Sequence, residues 1–186
     1  GIMGGKYILA EGESREVALA VFEQYLPKGQ GDNLPESCSG SALAILDRIE
    51  LLITIYAKGE RPSGSSDPYA LRRAANGVLQ IIWEQDWKVN LFDMLTFAIE
   101  NWTSHFQGFT FDIEKTKKDL FAFFHQRIFN LLDESGFDLD LVQAVSGETI
   151  SSQRLLSDPS DALKRIVLLA EMRNSKELNL VQSVVN

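Results

Sequence analysis

The sequence is poor in the residues that build covalent or metal-bound sites. It holds one cysteine, Cys38, among 186 residues, which excludes an internal disulfide framework and fits a reducing cytoplasm. The only histidines are His105 and His125, with neither a His-Asp dipeptide nor two histidines four residues apart. Because such spacings are the usual signature of a metal site, these residues do not complete one.

Long apolar runs and an excess of positive charge are missing as well. The longest apolar stretch, residues 51–57, is interrupted by Thr54 and is far shorter than the ~20 residues that span a bilayer, so no membrane segment is expected. The net charge is −8 at pH 7, whereas a protein that wraps nucleic acid normally carries a basic footprint. Wholesale wrapping of nucleic acid is therefore disfavoured, and DNA is not an expected partner.

What the sequence does contain is core-forming material with helical spacing. Hydrophobic residues make up 45% of the chain, including eleven phenylalanines and three tryptophans, and no segment alternates with the period of a strand. We predict an all-α fold, a bundle of about six to eight helices. The opening GIMGGKYILAEGE is abrupt, and we interpret the chain as a piece of a longer protein. Helices are predicted over 14–26, 39–58, 68–84, 91–106, 113–132, 139–145 and 159–173, with a tail helix from 176.

The most informative segment is residues 56–82, where a flexible loop rich in Gly, Ser and Pro leads into a helix. Asp67 followed by Pro68 is a strong helix-start signal, so this helix is predicted to begin at Pro68 and to carry Arg72 and Arg73 side by side. Gly77, one turn further along, is predicted to allow a close helix–helix contact.

This segment is locally basic. It contains Lys58, Arg61, Arg72 and Arg73 against only two acids. Arginine is the better phosphate ligand because its planar fork makes two parallel hydrogen bonds. Arg72 and Arg73 are therefore candidates for contact with a nucleic-acid backbone, and Lys58 and Arg61 are weaker candidates. The alternative is that these cations are solvated or pair with acids of the same chain.

Asp47 lies in the middle of the predicted helix 39–58, which is apolar nearly all round and is therefore expected to be buried. A buried carboxylate needs a partner, so Asp47 is expected to cap a neighbouring backbone, pair with an arginine or bind a metal. We favour a paired structural carboxylate, because the two histidines provide no set of metal ligands.

Several motifs together resemble a known family. They are the opening G-x-M-G-x-x-Y…G-E, the helix motif A-x-x-D that ends at Asp47, and the loop G-x-x-P-x-G-x-x-D-P-Y-A-L-R-R-A over residues 59–74. In order and spacing, they resemble the beta subunit of bacterial heterotetrameric glycyl-tRNA synthetase. The similarity is strong over roughly residues 1–85, FDLDLVQAV resembles the family more loosely, and the last forty residues are not diagnostic.

The resemblance implies a domain organisation. Residues 1–146 would form an HD-domain-like helical region, and residues 147–186 would begin a helical connection toward the C-terminal part of the subunit. Asp47 would occupy the place of the distal metal-ligand aspartate of HD phosphohydrolases, as a degenerate position whose histidine partners lie outside this chain. The resemblance thus implies no catalytic residue, no metal and no cofactor within these residues.

The resemblance also implies a function. The chain would belong to glycine–tRNA ligase, a cytoplasmic alpha2beta2 enzyme whose alpha subunit uses ATP and Mg to react with glycine. The beta subunit would help to position tRNA(Gly), with Arg72, Arg73, Lys58 and Arg61 as candidate contacts. Two alternatives stay open at this point: a purely structural helical spacer, and a metal-dependent HD phosphohydrolase, which we disfavour.

Overall fold

A computed structural model describes residues 1–29, 31–105 and 110–173, without the side chains of 103–105. These residues form helices and no named strand, so the all-α prediction is confirmed, although the described helices number nine rather than six to eight. They are α1 (Ile2–Ala10), α2 (Arg15–Glu23), α3 (Cys38–Ala57), α4 (Leu71–Glu84), α5 (Leu91–His105), α6 (Ile113–Glu134), α7 (Leu139–Ser146), α8 (Ser152–Ser157) and α9 (Pro159–Arg173).

Two of these helices, α1 and α8, were not predicted, and the structure shows a reason for each. Helix α1 contains glycines, which are poor helix formers, but a Cβ added at Gly5 would lie 2.8 Å from the Ala18 carbonyl oxygen. Gly5 lowers the helix propensity of α1, but the absence of its side chain lets α1 pack closely against α2. Helix α8 occupies a segment that reads as polar and turn-rich, and it begins where the Ser151 hydroxyl caps the Arg154 amide at 3.2 Å. The predicted tail helix from 176 lies outside the described residues.

Helix α3 is the central element, and it packs against α2, α4, α5 and α6. The hydrophobic core extends from α3 to α9 as one cluster that includes Leu52, Phe124 and Ile166. Two hydrogen bonds attach the start of α9 to α4 and the segment after it: Trp83 Nε1 donates to the Pro159 carbonyl at 2.9 Å, and Ser160 Oγ donates to the Trp87 carbonyl at 3.0 Å. The described residues beyond 146 therefore share the core of the preceding helices, while the domain boundary itself stays a prediction.

None of the helices in the described ranges combines the length and the apolar character needed to cross a bilayer.

Arg48 connects the N-terminal helices to the rest of the bundle. Its side chain is buried, with 8% of the residue exposed, and it bonds to four backbone carbonyls. Nη1 donates to Gln24 O at 3.0 Å and to Ala44 O at 2.8 Å. Nη2 donates to Tyr25 O at 3.1 Å and to Pro27 O at 2.9 Å. Three of these carbonyls belong to the chain that leaves the end of α2, so Arg48 of α3 satisfies acceptors that the helix end would otherwise leave unpaired.

Asp47, in contrast, is exposed, and the expectation that it is a buried, paired carboxylate is wrong. Helix α3 is apolar on most of its circumference, but one strip that contains Leu46, Asp47 and Glu50 stays at the surface. The buried charge is the neighbouring Arg48. Burial lowers the pKa of the Arg48 guanidinium, and the nearby Asp47 carboxylate raises it in part.

A second buried charge, Glu23, hydrogen-bonds the end of the α2–α3 connection that leads into α3. Its carboxylate accepts hydrogen bonds from the backbone amides of Glu36 and Ser37, each at 3.2 Å, and from the Ser37 hydroxyl. The Ser37 hydroxyl in turn caps the Gly40 amide at 3.0 Å, at the start of α3. The negative charge of Glu23 therefore lies where the positive end of the α3 dipole is, and stabilises the helix start.

Gly77 of α4 completes the packing around Arg48. A Cβ added at Gly77 would lie 2.6 Å from Arg48 Nε, so only glycine allows the α4 backbone to lie this close to the guanidinium side chain. The predicted close helix–helix contact at Gly77 is confirmed, and its partner is a buried cation rather than an apolar side chain.

We predict that Arg48→Ala lowers the free energy of unfolding of this chain by about 3–5 kcal/mol, because four carbonyls lose their donor in a buried region. Urea denaturation followed by circular dichroism measures the loss. Asp47→Ala is the matched control on the adjacent exposed position, and it is expected to change stability by no more than about 0.5 kcal/mol. Equal stabilities of the two variants would contradict the role assigned to Arg48.

Candidate nucleic-acid interface

The loop between α3 and α4 closes on itself. Ser63 N donates to Ser66 O at 3.0 Å, and Ser66 N donates to Ser63 O at 2.8 Å, forming an isolated antiparallel bridge. Gly64 has a φ of +51°, a left-handed conformation that glycine adopts without steric cost. The glycine and serines that suggested flexibility therefore form a tight turn next to the basic residues.

Helix α4 begins at Leu71, three residues later than predicted. Residues 67–70 form a turn in which the Ala70 amide donates to the Asp67 carbonyl at 3.0 Å, and Ala70 itself has a φ of +57°. The Asp67 carboxylate then accepts from the Leu71 amide at 2.7 Å and from the Arg72 amide at 3.0 Å. Asp67 is thus the capping side chain, as the sequence suggested, but it acts from three residues before the N-cap position.

Arg61 is committed to the chain itself. Its Nε and Nη2 donate to Asp119 Oδ2 at 3.1 and 2.9 Å, and its Nη1 donates to the carbonyls of Tyr56 and Glu60 at 2.7 and 2.8 Å. The guanidinium also lies 4.0 Å from the centre of the Tyr56 ring. These bonds fasten the loop to α6. Because all three guanidinium nitrogens already have partners, Arg61 would have to exchange one of these bonds to contact RNA, and that contact stays a prediction.

Burial raises the pKa of the Tyr56 hydroxyl well above its usual range, and the charge of Arg61 lowers it in part. Tyr56 is only 2% exposed, so it serves as a buried neutral platform beneath Arg61.

Arg72 and Arg73 differ in how far they are committed. Arg72 is half-buried, and its Nη2 donates to the Gly64 carbonyl at 2.8 Å. Arg73 is exposed, and no ion pair or hydrogen bond from its side chain is found within the described ranges. Arg73 lines a cavity of about 260 Å³ with six other residues: Pro27, Gly29, Asn76, Gln80, Leu131 and Glu134. Neither arginine is neutralised by a bonded carboxylate in the described part of the chain.

Lys58 lies at the C-cap of α3 with an exposed side chain. It precedes the turn of residues 63–66 in sequence and keeps its ammonium group accessible. Lys58, Arg72 and Arg73 are therefore the predicted cations that remain accessible to a ligand.

Sequence reasoning missed a fourth cation, Arg127 of α6. It is half-buried, its guanidinium carbon lies 5.8 Å from the centre of the Phe123 ring, and its Nε has no acceptor among the described residues. A signal was present in the sequence. Arg127 falls three residues after Phe124 and four before Leu131, so a cation stands on the apolar stripe of α6.

The structure brings no metal ligands together around Asp47. Across residues 1–29, 31–105 and 110–173, no group of three or more His, Cys, Asp or Glu side chains is placed to hold a metal ion. His125 is bonded instead to the end of α7 and the start of α8, with Nε2 2.9 Å from Ser146 O and Nδ1 3.0 Å from Ser152 Oγ.

Comparison with known proteins gives a consistent family assignment. Residues 1–147 match the sequence profile of the family described as glycyl-tRNA synthetase beta subunit. The whole chain aligns with the glycine–tRNA ligase beta subunits of Gloeothece citriformis at 39% identity, Acaryochloris marina at 40% and Synechocystis sp. at 39%. It covers 26% of the first two proteins and 27% of the third, so it spans about a quarter of the relatives' length.

We predict that Asp67→Ala lowers the free energy of unfolding by about 1 kcal/mol, because the first two amides of α4 lose their acceptor. Asp67→Asn keeps a side-chain oxygen and is expected to lose less. Urea denaturation of both variants beside Ser65→Ala, an exposed position in the same loop, provides the comparison. If Asp67→Ala is as stable as Ser65→Ala, the cap does not contribute as described.

Proposed function

The chain belongs to the glycyl-tRNA synthetase beta subunit family, and we propose that its accessible cations contact the phosphate backbone of tRNA(Gly). We define the α4 cationic end as Arg72 and Arg73, and Lys58 is a weaker candidate beside it. In the full-length protein these contacts would help to position tRNA(Gly) for glycylation. The reaction with ATP and Mg is assigned, in this proposal, to the alpha subunit of a cytoplasmic alpha2beta2 ligase.

The observation that carries the proposal is the state of Arg73. Its guanidinium is exposed at the start of a helix whose first amides are already capped by Asp67, and it has no bonded carboxylate within the described residues. An arginine in this state has donors free for an external anion. Arg72 supports the same interpretation. Its Nη2 donates to the Gly64 carbonyl, which is a neutral acceptor and does not balance the charge of the guanidinium.

The acidic character of the chain fits a small number of specific contacts. With a net charge of −8, the chain has no general attraction for a polyanion, so binding would depend on a few arginines that meet phosphates. Phosphate contacts fix the register and orientation of a nucleic acid without reading its bases. Holding the tRNA in register lowers the entropic part of the barrier for a reaction on another subunit.

A purely structural spacer is the second candidate function. It is favoured by the single core that runs from α3 to α9 and by the full commitment of Arg61 to its own chain. A spacer would tolerate changes at the α4 cationic end and would respond instead to changes in the core. Ile49, which is 3% exposed, is a suitable core position, and Ile49→Ala should cost about 2–5 kcal/mol of stability in either case.

We predict that Arg72→Ala combined with Arg73→Ala, made in the full-length beta subunit assembled with alpha, weakens tRNA(Gly) binding by about 10- to 100-fold. Lost phosphate contacts should also reduce the slope of log affinity against log salt by about 1–2. Filter binding at several salt concentrations measures both quantities, and formation of glycyl-adenylate without tRNA should be unchanged.

Arg154→Ala is the matched control, because Arg154 is an exposed arginine that pairs with Asp161 at 3.6 Å in another part of the fold. Unchanged tRNA affinity in the double variant would favour the spacer over the proposed contact.

A further inference from the structure

Arg127 is a cation whose burial is not balanced by a bonded acid. Burial lowers the pKa of its guanidinium, and the neighbouring charge of Arg72 lowers it further. No salt bridge to Arg127 is found within the described residues, and its buried Nε has no acceptor there. Partly burying an unpaired charge beside a like charge is unfavourable. The arrangement therefore has an electrostatic cost that a bound anion would relieve.

The acids nearby provide only part of that relief, and none is bonded to Arg127 among the described residues. The Asp67 carboxylate is used by the amides of Leu71 and Arg72, and Asp119 is bonded to Arg61. Glu134 and Asp67 both raise the pKa of Arg127 through their charges, but neither makes a bonded pair with it in the described structure. Glu134 is also exposed, so solvent weakens its attraction.

The remaining contacts of Arg127 orient it without neutralising it. In the amide orientation that gives both of its ends a partner, Asn130 accepts from Arg127 Nη2 and donates to the Gln126 carbonyl at 3.2 Å. The guanidinium carbon lies over the Phe123 ring, 5.8 Å from the ring centre. The Asn130 amide and the Phe123 ring therefore orient the Arg127 guanidinium, while Nη1 has no partner in the described residues.

We infer that Arg127 of α6 and Arg72 of α4 form a subsite for one phosphodiester group of RNA. Helices α4 and α6 pack against each other, and Asn76 of α4 lines one cavity with Leu131 of α6. Arg72 and Arg127 each lie four residues before one of these positions, so the two helices hold them at corresponding places along the same packed pair. One phosphate would accept from both guanidiniums and cancel their repulsion, and Arg73 would be free to contact a neighbouring phosphate. This inference rests on the proposed function and adds a residue that none of the sequence motifs marks.

A double-mutant cycle in the full-length beta subunit with alpha tests the shared phosphate. Arg127→Gln and Arg72→Gln should each weaken tRNA(Gly) binding by about tenfold. Because either change disrupts the same subsite, the double variant should lose about thirtyfold or less, rather than the about hundredfold loss expected of independent contacts. Arg154→Gln is the matched control and should bind like the unaltered protein.

The outcomes separate this inference from the proposed function. Full tRNA affinity in Arg127→Gln, or an additive loss in the double variant, overturns the shared subsite. If the Arg72 and Arg73 double alanine variant still loses affinity, the proposed function stands without it. Thermal unfolding checks that each variant is folded. Should Arg127→Gln fail to fold, Arg127→Lys replaces it, since the lysine keeps the charge and loses the planar fork.

Discussion

The structure depends on a buried guanidinium that bonds only to backbone carbonyls. Arg48 donates hydrogen bonds to carbonyls of the segment that follows α2 and to the Ala44 carbonyl of its own helix, and it lies against Gly77 of α4. A buried cation is costly unless its donors are satisfied, and here neutral carbonyl dipoles provide the satisfaction. Three helices are thereby fixed relative to one another at a single side chain. Glu23 complements this arrangement by holding the start of α3 with a buried carboxylate.

This fixed core determines where the accessible cations lie. Helix α4 passes closely over Arg48 at Gly77, and its first turn carries Arg72 and Arg73. The loop before α4 is closed by the serine bridge at residues 63–66 and fastened to α6 through Arg61 and Asp119. The cations at the start of α4 are therefore presented by a rigid support, which is what a positioning role requires.

Much of the fold could be predicted because its local signals agree with its packing. The predicted start of α9 at Pro159 is confirmed, and the predicted bounds of α3 were correct to within one residue at each end. Helix α1 could not be predicted because its glycines lower helix propensity and become favourable only through contact with α2. The start of α4 was misplaced since Asp67 caps the helix from beyond an intervening turn, a geometry that the Asp-Pro signal does not distinguish.

The candidate site was only partly predictable, for a related reason. Charge density in the sequence identified Lys58, Arg61, Arg72 and Arg73, but it carries no information about which cations are already bonded within the chain. Arg61 is bonded within the chain, whereas Arg127, which we propose as part of the site, lies on α6, 54 positions after Arg73 in the sequence. The apolar residues around Asp47 in the sequence suggested that its side chain is buried. In the structure Asp47 is exposed, and the neighbouring Arg48 is buried instead.

The central claim is that a rigid helical fold presents the start of α4 to tRNA, and site-specific photo-cross-linking tests it most directly. Tyr69 lies beside the α4 cationic end and is 45% exposed, while Phe97 on α5 is an aromatic control that is 69% exposed. With p-benzoylphenylalanine at either position of the full-length beta subunit assembled with alpha, tRNA(Gly) should cross-link from position 69 and not from position 97. Cross-linking from position 97 alone, or from neither position, would contradict the account.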